Sequence, residues 1–236
     1  MSTFSDSNQQ VNVINWIKND KNLDEVYIHS RSFFEDWSTS LELSDSEMER
    51  KIYLEHIYIE KYELEEILNA TIKVFDFNPH GVGMELGAGC GAVSIFFAKK
   101  FSKVNKIYSV EIVPEIVNFA QTALISIAKV EDKVLPVIGS FDELQLPDNS
   151  VDWIIEFDSL HHSFNLATTA LEASRVLKPG GKLIAIDRSH WSTSKSRRKN
   201  LENQTYSKEW LSSRGLDTNL HLTRSENGEH EHLLKD

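Results

Sequence analysis

The sequence of 236 residues contains a single cysteine, Cys90, which cannot form an intrachain disulfide and favours a reducing compartment. It also lacks any apolar run approaching the roughly 18 residues that a membrane-spanning helix requires. The first ten residues, MSTFSDSNQQ, have neither the basic region nor the apolar region of a secretory signal. We therefore expect a cytoplasmic protein without a membrane span.

Basic residues are also few, with 25 Lys and Arg against 36 Asp and Glu and a formal net charge of −11 at pH 7. An acidic protein repels the phosphate backbone of DNA and RNA, so no nucleic-acid partner is expected, although a local basic patch can overrule the net charge. The hydrophobic fraction of 40% is ordinary for a globular protein with a sizeable core.

Residues 1–78 form the first predicted unit, a polar and helical extension. Ser44 and Glu47 have the spacing of a capping box, in which each side chain accepts a hydrogen bond from a backbone donor at a helix start. Apolar residues then recur at roughly helical spacing as far as Leu68. We interpret this segment as a helical unit that packs on the domain that follows.

Residues 79–236 form the second predicted unit, in which short apolar runs alternate with helical segments. We predict strands near residues 82–86, 106–111, 133–138, 151–157 and 181–187, and helices near 92–101, 114–129 and 165–177. This alternation predicts a doubly wound α/β fold with a mostly parallel sheet covered on both faces. Ligands of such sheets bind beyond the carboxyl ends of the strands.

The most informative stretch is MELGAGCGAVSIF, residues 84–96, which places a glycine-rich loop between a predicted strand and a predicted helix. In that context the backbone approaches a ligand, and the helix N-terminus favours an anionic group. Glu111 ends the next strand, 20 residues after Gly91, where a carboxylate can accept both hydroxyls of a ribose. Together these features predict a ligand of the adenosine type, but they do not distinguish NAD from other nucleosides.

Five segments, in this order, resemble the motifs of class I S-adenosylmethionine-dependent methyltransferases of the small-molecule type. They are MELGAGCG at 84–91, YSVEIVPE at 108–115, VIGSFDELQLPDNSVDWI at 137–154, IIEFDSLHH at 154–162 and EASRVLKPGGKLIAID at 172–187. The resemblance implies a Rossmann-like sheet of the seven-stranded type, in which the N-terminal extension is a lid over the substrate. Because only 49 residues follow Asp187 and few of them are apolar, the closing antiparallel strands are expected to be short or truncated.

The resemblance also implies S-adenosylmethionine as the cofactor and specific residues that bind it. Glu85 is expected to hold the amino-acid end of the cofactor, and Glu111 its ribose. The family's usual Asp in the third motif is Ser140 here, so Ser140 or Asp142 is expected at the adenine amine, with Phe141 stacked on the ring. The remaining expected cofactor contacts are Gly87, Ala88, Gly89, Gly91, Ile112 and Phe157.

The acceptor side is defined less well by the sequence. His161 and His162 follow the fourth predicted strand, where either could act as a general base or could instead shape the loop. Asp158 fits a substrate contact or a loop cap equally. Arg188 and His190 lie at the end of the fifth predicted strand and are candidate substrate residues, although the basic stretch that follows is also typical of a solvated helix start.

No metal site is expected, because His230 and His232 would share a strand face but have no third ligand in register. The chain has no Asn/Asp-Pro-Pro-aromatic sequence, which marks methyltransferases of planar amino groups, so a small-molecule acceptor is favoured. The expected activity is transfer of the sulfonium methyl group to an oxygen, nitrogen or carbon atom. Two alternatives stay open: an NAD-dependent oxidoreductase that uses the same loop, and a catalytically idle cofactor-binding protein.

Overall fold

The computed structural model describes residues 11–18, 64–163, 165–186, 222–224 and 230–232. In chain order these residues form β1 (Ile14–Asn15), α1 (Leu64–Val74), β2 (Gly81–Leu86), α2 (Ala92–Lys100), β3 (Val104–Glu111), a π-helix (Ile116–Gln121) that continues as α3 (Thr122–Ala128), β4 (Val134–Ile138), β5 (Val151–Phe157), a 3-10 helix (Leu160–His162), α4 (Leu166–Val176), β6 (Leu177–Ile186), β7 (Leu222–Arg224) and β8 (His230–His232).

Six of these strands form one sheet in the order β1-β4-β3-β2-β5-β6, and every neighbouring pair is parallel. The chain proceeds outward from β2 through β3 to β4, and then returns to the other side of β2 with β5 and β6. The strand order therefore reverses between β2 and β5, and this switch point is where open α/β sheets bind ligands. The structure confirms the expected doubly wound, mostly parallel α/β sheet.

Both faces of the sheet are covered because successive side chains of its central strands point to opposite sides. Trp153 and Ile155 of β5 pack in one core cluster, which includes Leu68 of α1 and Phe97 of α2. Ile154, the residue between them, packs in the second cluster, where the buried side chains of α4 cover the sheet. The near-continuous apolar sequence of β5 follows from this two-sided burial.

The edge strand β1 was not predicted from the sequence, which indicated only helical structure before residue 78. Ile14 and Asn15 pair in parallel with Val137 and Ile138 of β4. Trp16 then donates its backbone N–H to the Ile138 carbonyl at 2.8 Å and is buried in the second core cluster. Two residues are too few to display an alternating pattern, so this strand depends on its partner and on the burial of the tryptophan.

The other predictions for the ends of the chain fall mostly outside the described residues, including the capping box at Ser44 and Glu47. Near the C-terminus, β7 and β8 form an antiparallel pair in which Leu222 faces His232. This pair is separate from the main sheet, which agrees with the expectation of short closing strands. None of the helices among the described residues reaches the length and apolarity needed to cross a membrane.

Candidate functional site

The glycine loop connects β2 to α2 at the carboxyl edge of the sheet, beside the switch point. Gly87, Gly89 and Gly91 have φ angles of +66°, +50° and +83°, which lie in the left-handed region that favours glycine. A Cβ atom added at Gly89 would meet no atom of the described ranges within 4 Å, so this residue borders open space there. The loop thus presents its backbone at Gly89 to whatever occupies that space.

A Cβ atom at Gly87, in contrast, would lie 2.3 Å from the Cβ atom of Ser159. The turn after β5 therefore packs directly on the glycine loop. Ser159 also donates its hydroxyl to the Leu86 carbonyl at 2.8 Å, which joins this turn to the end of β2. The two loops at the switch point are consequently held in fixed relative positions.

Glu85 lies on β2 and is only 2% exposed. Its Oε2 atom accepts a hydrogen bond from the Ser94 backbone N–H at 2.8 Å and another from the Ser94 hydroxyl. Burial raises the pKa of Glu85 to about 8; the Ser94 hydrogen bonds oppose this shift, whereas the charges of Glu111 and Glu156 add to it. The carboxyl group therefore caps the first turn of α2 and is mostly protonated at neutral pH in the free protein.

Glu111 ends β3, and both of its carboxylate oxygens are used. Its Oε1 accepts the backbone N–H groups of Ile112 and Val113 at 2.8 and 3.0 Å, and its Oε2 accepts that of Gly89 at 3.0 Å. Burial raises the pKa of Glu111, and the three backbone hydrogen bonds oppose that shift. Because a carboxylate oxygen can accept two hydrogen bonds, Oε2 retains capacity for a hydroxyl donor of a ligand.

Gln121, which the sequence analysis missed, contacts the same glycine loop from the π-helix. Its side-chain Nε2 donates to the Gly89 carbonyl at 2.8 Å, and the residue is fully buried. The sequence carried one signal for it. Gln121 lies four residues after Val117 and three before Leu124, on the buried stripe of the predicted helix, where an apolar residue is expected.

Glu156, also missed, organises the turn that carries the predicted histidines. Its Oε1 accepts hydrogen bonds from the backbone N–H groups of Ser159 and Leu160 and from the Ser159 hydroxyl. Glu156 is fully buried on β5, and these hydrogen bonds fix the start of the 3-10 helix relative to that strand. The backbone of His161 and His162 belongs to this helix, at the edge where a ligand is expected.

The third motif forms a turn after β4 that is held by side chains of α4. Ser140 is buried and accepts a hydrogen bond from the Asp142 backbone N–H at 3.1 Å. The Thr169 hydroxyl donates to Asp142 Oδ1 at 2.6 Å. Phe141 packs in the second core cluster, and its Cζ atom would lie 2.9 Å from a Cβ at Gly87. The Phe141 ring therefore borders the glycine loop.

The structure brings together at one sheet edge most of the residues that the sequence predicted. The loop glycines, Glu85 and Glu111 are directly linked or adjacent, and the third-motif turn and the 3-10 helix flank them. Ala88 and Ile112 are buried beside them, Phe157 packs partly against the first core cluster, and Asp158 is exposed with a φ angle of +52°. Arg188 and His190 lie outside the described residues.

Within the described ranges, no group of three or more His, Cys, Asp or Glu side chains is placed to hold a metal ion. The backbone of His230 and His232 lies on β8, which pairs with β7 and lies next to the 3-10 helix Leu160–His162.

The sequence is similar to known protein families in the region that builds this site. Residues 84–185 match a family model described as a methyltransferase domain. This range begins in β2, ends in β6 and includes the glycine loop, Glu111, the third-motif turn and the 3-10 helix. The matched segment therefore coincides with the part of the sheet that builds the candidate site.

Two relatives and one solved structure illustrate the similarity. The ubiquinone/menaquinone biosynthesis C-methyltransferase UbiE of Hydrogenovibrio crunogenus is 27% identical over 117 residues, which cover 50% of this chain and 46% of that protein. Sarcosine/dimethylglycine N-methyltransferase of Aphanothece halophytica is 32% identical over 104 residues, which cover 44% of this chain and 36% of that protein. The matched regions thus span less than half the length of these relatives. The crystal structure of the MccD protein shares the fold, with a TM-score of 0.50, 16% identity and coverage of 59% of this chain and 60% of that one.

Proposed function

We propose that this chain, in which residues 84–185 are a class I S-adenosylmethionine-dependent methyltransferase domain, methylates an oxygen, nitrogen or carbon atom of a small molecule. The names of the two relatives include a C-methyltransferase and an N-methyltransferase, so the similarity does not select the acceptor atom. The cytoplasmic setting and the division of the chain at residue 78 stay predictions.

The observation that carries the proposal is the contact between Glu111 and the glycine loop. Glu111 Oε2 holds the Gly89 N–H at 3.0 Å, and the space next to Gly89 is open. Glu111 is a buried carboxylate that can accept a further hydrogen bond, and it lies beside a glycine that borders open space. This arrangement fits a ligand whose ribose diol binds Glu111 and whose remaining atoms run along the loop backbone. The residues present therefore suit S-adenosylmethionine.

S-adenosylmethionine supplies, when bound, an electrophilic methyl group on a sulfonium that is already a good leaving group. The task of the protein is then alignment and exclusion of water, which in well-oriented systems contributes on the order of 7–11 kcal/mol. In this proposal Glu85 holds the amino-acid end, while Ser140, Phe141 or Asp142 contact the adenine. The remaining loop residues Gly87, Ala88, Gly91, Ile112 and Phe157 line the cofactor.

His161 and His162 are the proposed acceptor-side residues, with Asp158 beside them. The hydrogen bonds of Glu156 to the preceding turn support this role, because a base must be fixed relative to its acceptor. Arg188 and His190 stay predicted substrate residues. If one histidine is the general base, replacing it by Ala should lower kcat by at least about 100-fold with little effect on cofactor affinity.

Calorimetric titration with S-adenosylhomocysteine and, separately, with NAD tests the cofactor assignment. We expect binding of S-adenosylhomocysteine and none of NAD, and the reverse result would establish the oxidoreductase alternative. Glu111→Gln should weaken S-adenosylhomocysteine binding by about tenfold or more, because it removes a charge-assisted acceptor. The matched control is Glu66→Gln, which makes the same change on the exposed surface of α1 and should leave the affinity unaltered.

Catalysis is tested by incubating the protein with methyl-labelled S-adenosylmethionine and a panel of small-molecule acceptors. Transfer of label to an acceptor that disappears in Glu111→Ala would support the proposal and reject an idle binding protein. Tight S-adenosylhomocysteine binding without transfer to any acceptor of the panel would favour the idle alternative.

A further inference from the structure

Both polar groups of the Gly89 residue are held by buried side chains. Its N–H donates to Glu111 Oε2 at 3.0 Å, and its carbonyl accepts from Gln121 Nε2 at 2.8 Å. Gly89 has a φ angle of +50° and lies next to open space. A residue so placed has no packing contact on its open side, so its orientation depends on these two hydrogen bonds.

Gln121 occupies an unusual position for a glutamine. It is fully buried, it ends the π-helix Ile116–Gln121, and its Oε1 atom has no hydrogen-bond partner among the described residues. The buried hydroxyl of Ser109 also lacks a partner in the part of the chain that the structure describes. A Cβ at Gly91 would lie 3.4 Å from that hydroxyl and 3.6 Å from Gln121 Cγ. A buried amide with an unsatisfied oxygen costs free energy that an apolar side chain would avoid.

The π-helix that ends at Gln121 also indicates a functional role for this residue. π-helical turns are rare, and they are found frequently at functional sites. Here the π-helical turns end at Gln121, and the chain continues as the regular helix α3 from Thr122. Among the described residues, the Gln121 side chain makes a single hydrogen bond, which it donates to the Gly89 carbonyl.

We propose that Gln121 is a positioning residue that fixes the Gly89 peptide in the orientation that receives the amino-acid end and ribose of S-adenosylmethionine. This inference rests on the proposed function. Glu111 and Gln121 would then act together, with one orienting the N–H and the other the carbonyl. Gln121 acts through Gly89 and is not itself a ligand contact.

The first test is Gln121→Met, which keeps the length of the side chain and removes the donor. We expect S-adenosylhomocysteine affinity to fall about tenfold, equivalent to about 1.4 kcal/mol, while the unliganded protein melts at the same or a higher temperature. The matched control is Asn118→Met on the exposed side of the same π-helix, which should alter neither quantity. Unchanged affinity in folded Gln121→Met would overturn the proposal.

The second test is Gln121→Glu, which gives a readout that a purely structural role would not move. A protonated carboxyl can donate to the Gly89 carbonyl, whereas an ionised one cannot. The Kd of this variant relative to that of the wild type should therefore increase as the pH rises through the pKa of the introduced carboxyl, which burial at this position raises. Glu85 and Glu111 also titrate, and taking the ratio at each pH subtracts the part of their effect that is common to the two proteins. A ratio that is flat with pH would contradict the positioning role.

Hydrogen exchange at the Gly89 amide separates this inference from the proposed function. Faster exchange in unliganded Gln121→Met than in Asn118→Met would show that Gln121 orders the loop even if the wild type bound no S-adenosylhomocysteine. Equal exchange rates in the two variants would refute the positioning role, whatever the ligand is.

Discussion

Glu85→Gln is the substitution for which the structure gives the most definite expectation. The Glu85 side chain is 2% exposed, and its Oε2 accepts two hydrogen bonds from Ser94. Glutamine has the same shape and can keep its carbonyl oxygen at that position. Its second terminal group is a neutral amide that cannot ionise, so the substitution isolates the cost of charging this buried carboxyl.

The sign of the pH dependence follows from the raised pKa. Burial places the pKa of Glu85 at about 8 in the folded protein, against 4.5 for an ordinary glutamate. The protonated Glu85 carboxyl therefore makes its full contribution to the free energy of unfolding below about pH 4.5. That contribution is lost as the pH rises towards 8. At pH 7 the loss is about 3 kcal/mol, since each pH unit above the ordinary pKa costs about 1.4 kcal/mol.

Urea unfolding at several pH values measures this effect directly. The free energy of unfolding of the wild type minus that of Glu85→Gln should become more negative by about 3 kcal/mol between about pH 4.5 and pH 7. Glu66→Gln, on the surface of α1, controls for pH effects elsewhere in the protein. If the difference between wild type and Glu85→Gln were independent of pH, the folded carboxyl would have an ordinary pKa and the reasoning would be wrong.

Two further stability predictions use the same structure. Gly87→Ala should destabilise the protein by roughly 1–3 kcal/mol more than Gly180→Ala, because both glycines have positive φ angles but only at Gly87 would a Cβ meet Ser159, at 2.3 Å. Equal losses in thermal unfolding would rule out the clash. Partial burial alone would raise the pKa of Asp152, but the hydrogen bond from Lys178 helps to hold that pKa below its ordinary value of 3.8. Wild-type stability should therefore fall as the pH drops below about 4, and Asp152→Asn should lose that part of the acid dependence; identical acid-unfolding profiles would contradict it.

The predicted strands and helices of the main sheet are close to those observed because their apolar runs are bounded by glycine, proline and polar turns. The predicted strand near 82–86 is β2, Gly81–Leu86, and the predicted helix near 165–177 contains α4, Leu166–Val176. The helix predicted over 114–129 was recognised by its period, but the sequence did not reveal that its first part is a π-helix. Strand β1 could not be predicted, because its extended conformation is stabilised by pairing with β4.

The candidate site was predictable at the residues that are proposed to bind the ligand and much less at the contacts behind them. Glu111 was identified from its position at the end of a strand, and Glu85 from the resemblance of its segment to the glycine loop of the family; both are local properties of the sequence. Their partners in the fold, such as Ser94 for Glu85, could not be identified, because a hydrogen bond between separate elements leaves no spacing pattern. The same reason explains why the contacts of Gln121 and Ser159 with the glycine loop, from 32 and 72 positions away, were missed, although the buried-stripe position of Gln121 was visible in the sequence.

Three neighbouring strands in the centre of the sheet carry a buried glutamate at their carboxyl ends: Glu111 on β3, Glu85 on β2 and Glu156 on β5. Each carboxyl accepts backbone N–H groups from the segment that follows its own strand, so the three together fix the loops around the candidate site. Neutral side chains could cap the same N–H groups without the cost of burying charge. Burial raises the pKa of Glu85 and of Glu111, so a ligand that carries positive charge would favour their ionised forms, and these would attract it. Under the proposed function, loss of the sulfonium charge on methyl transfer weakens that attraction, so the same carboxylates that order the loops would also favour release of the product.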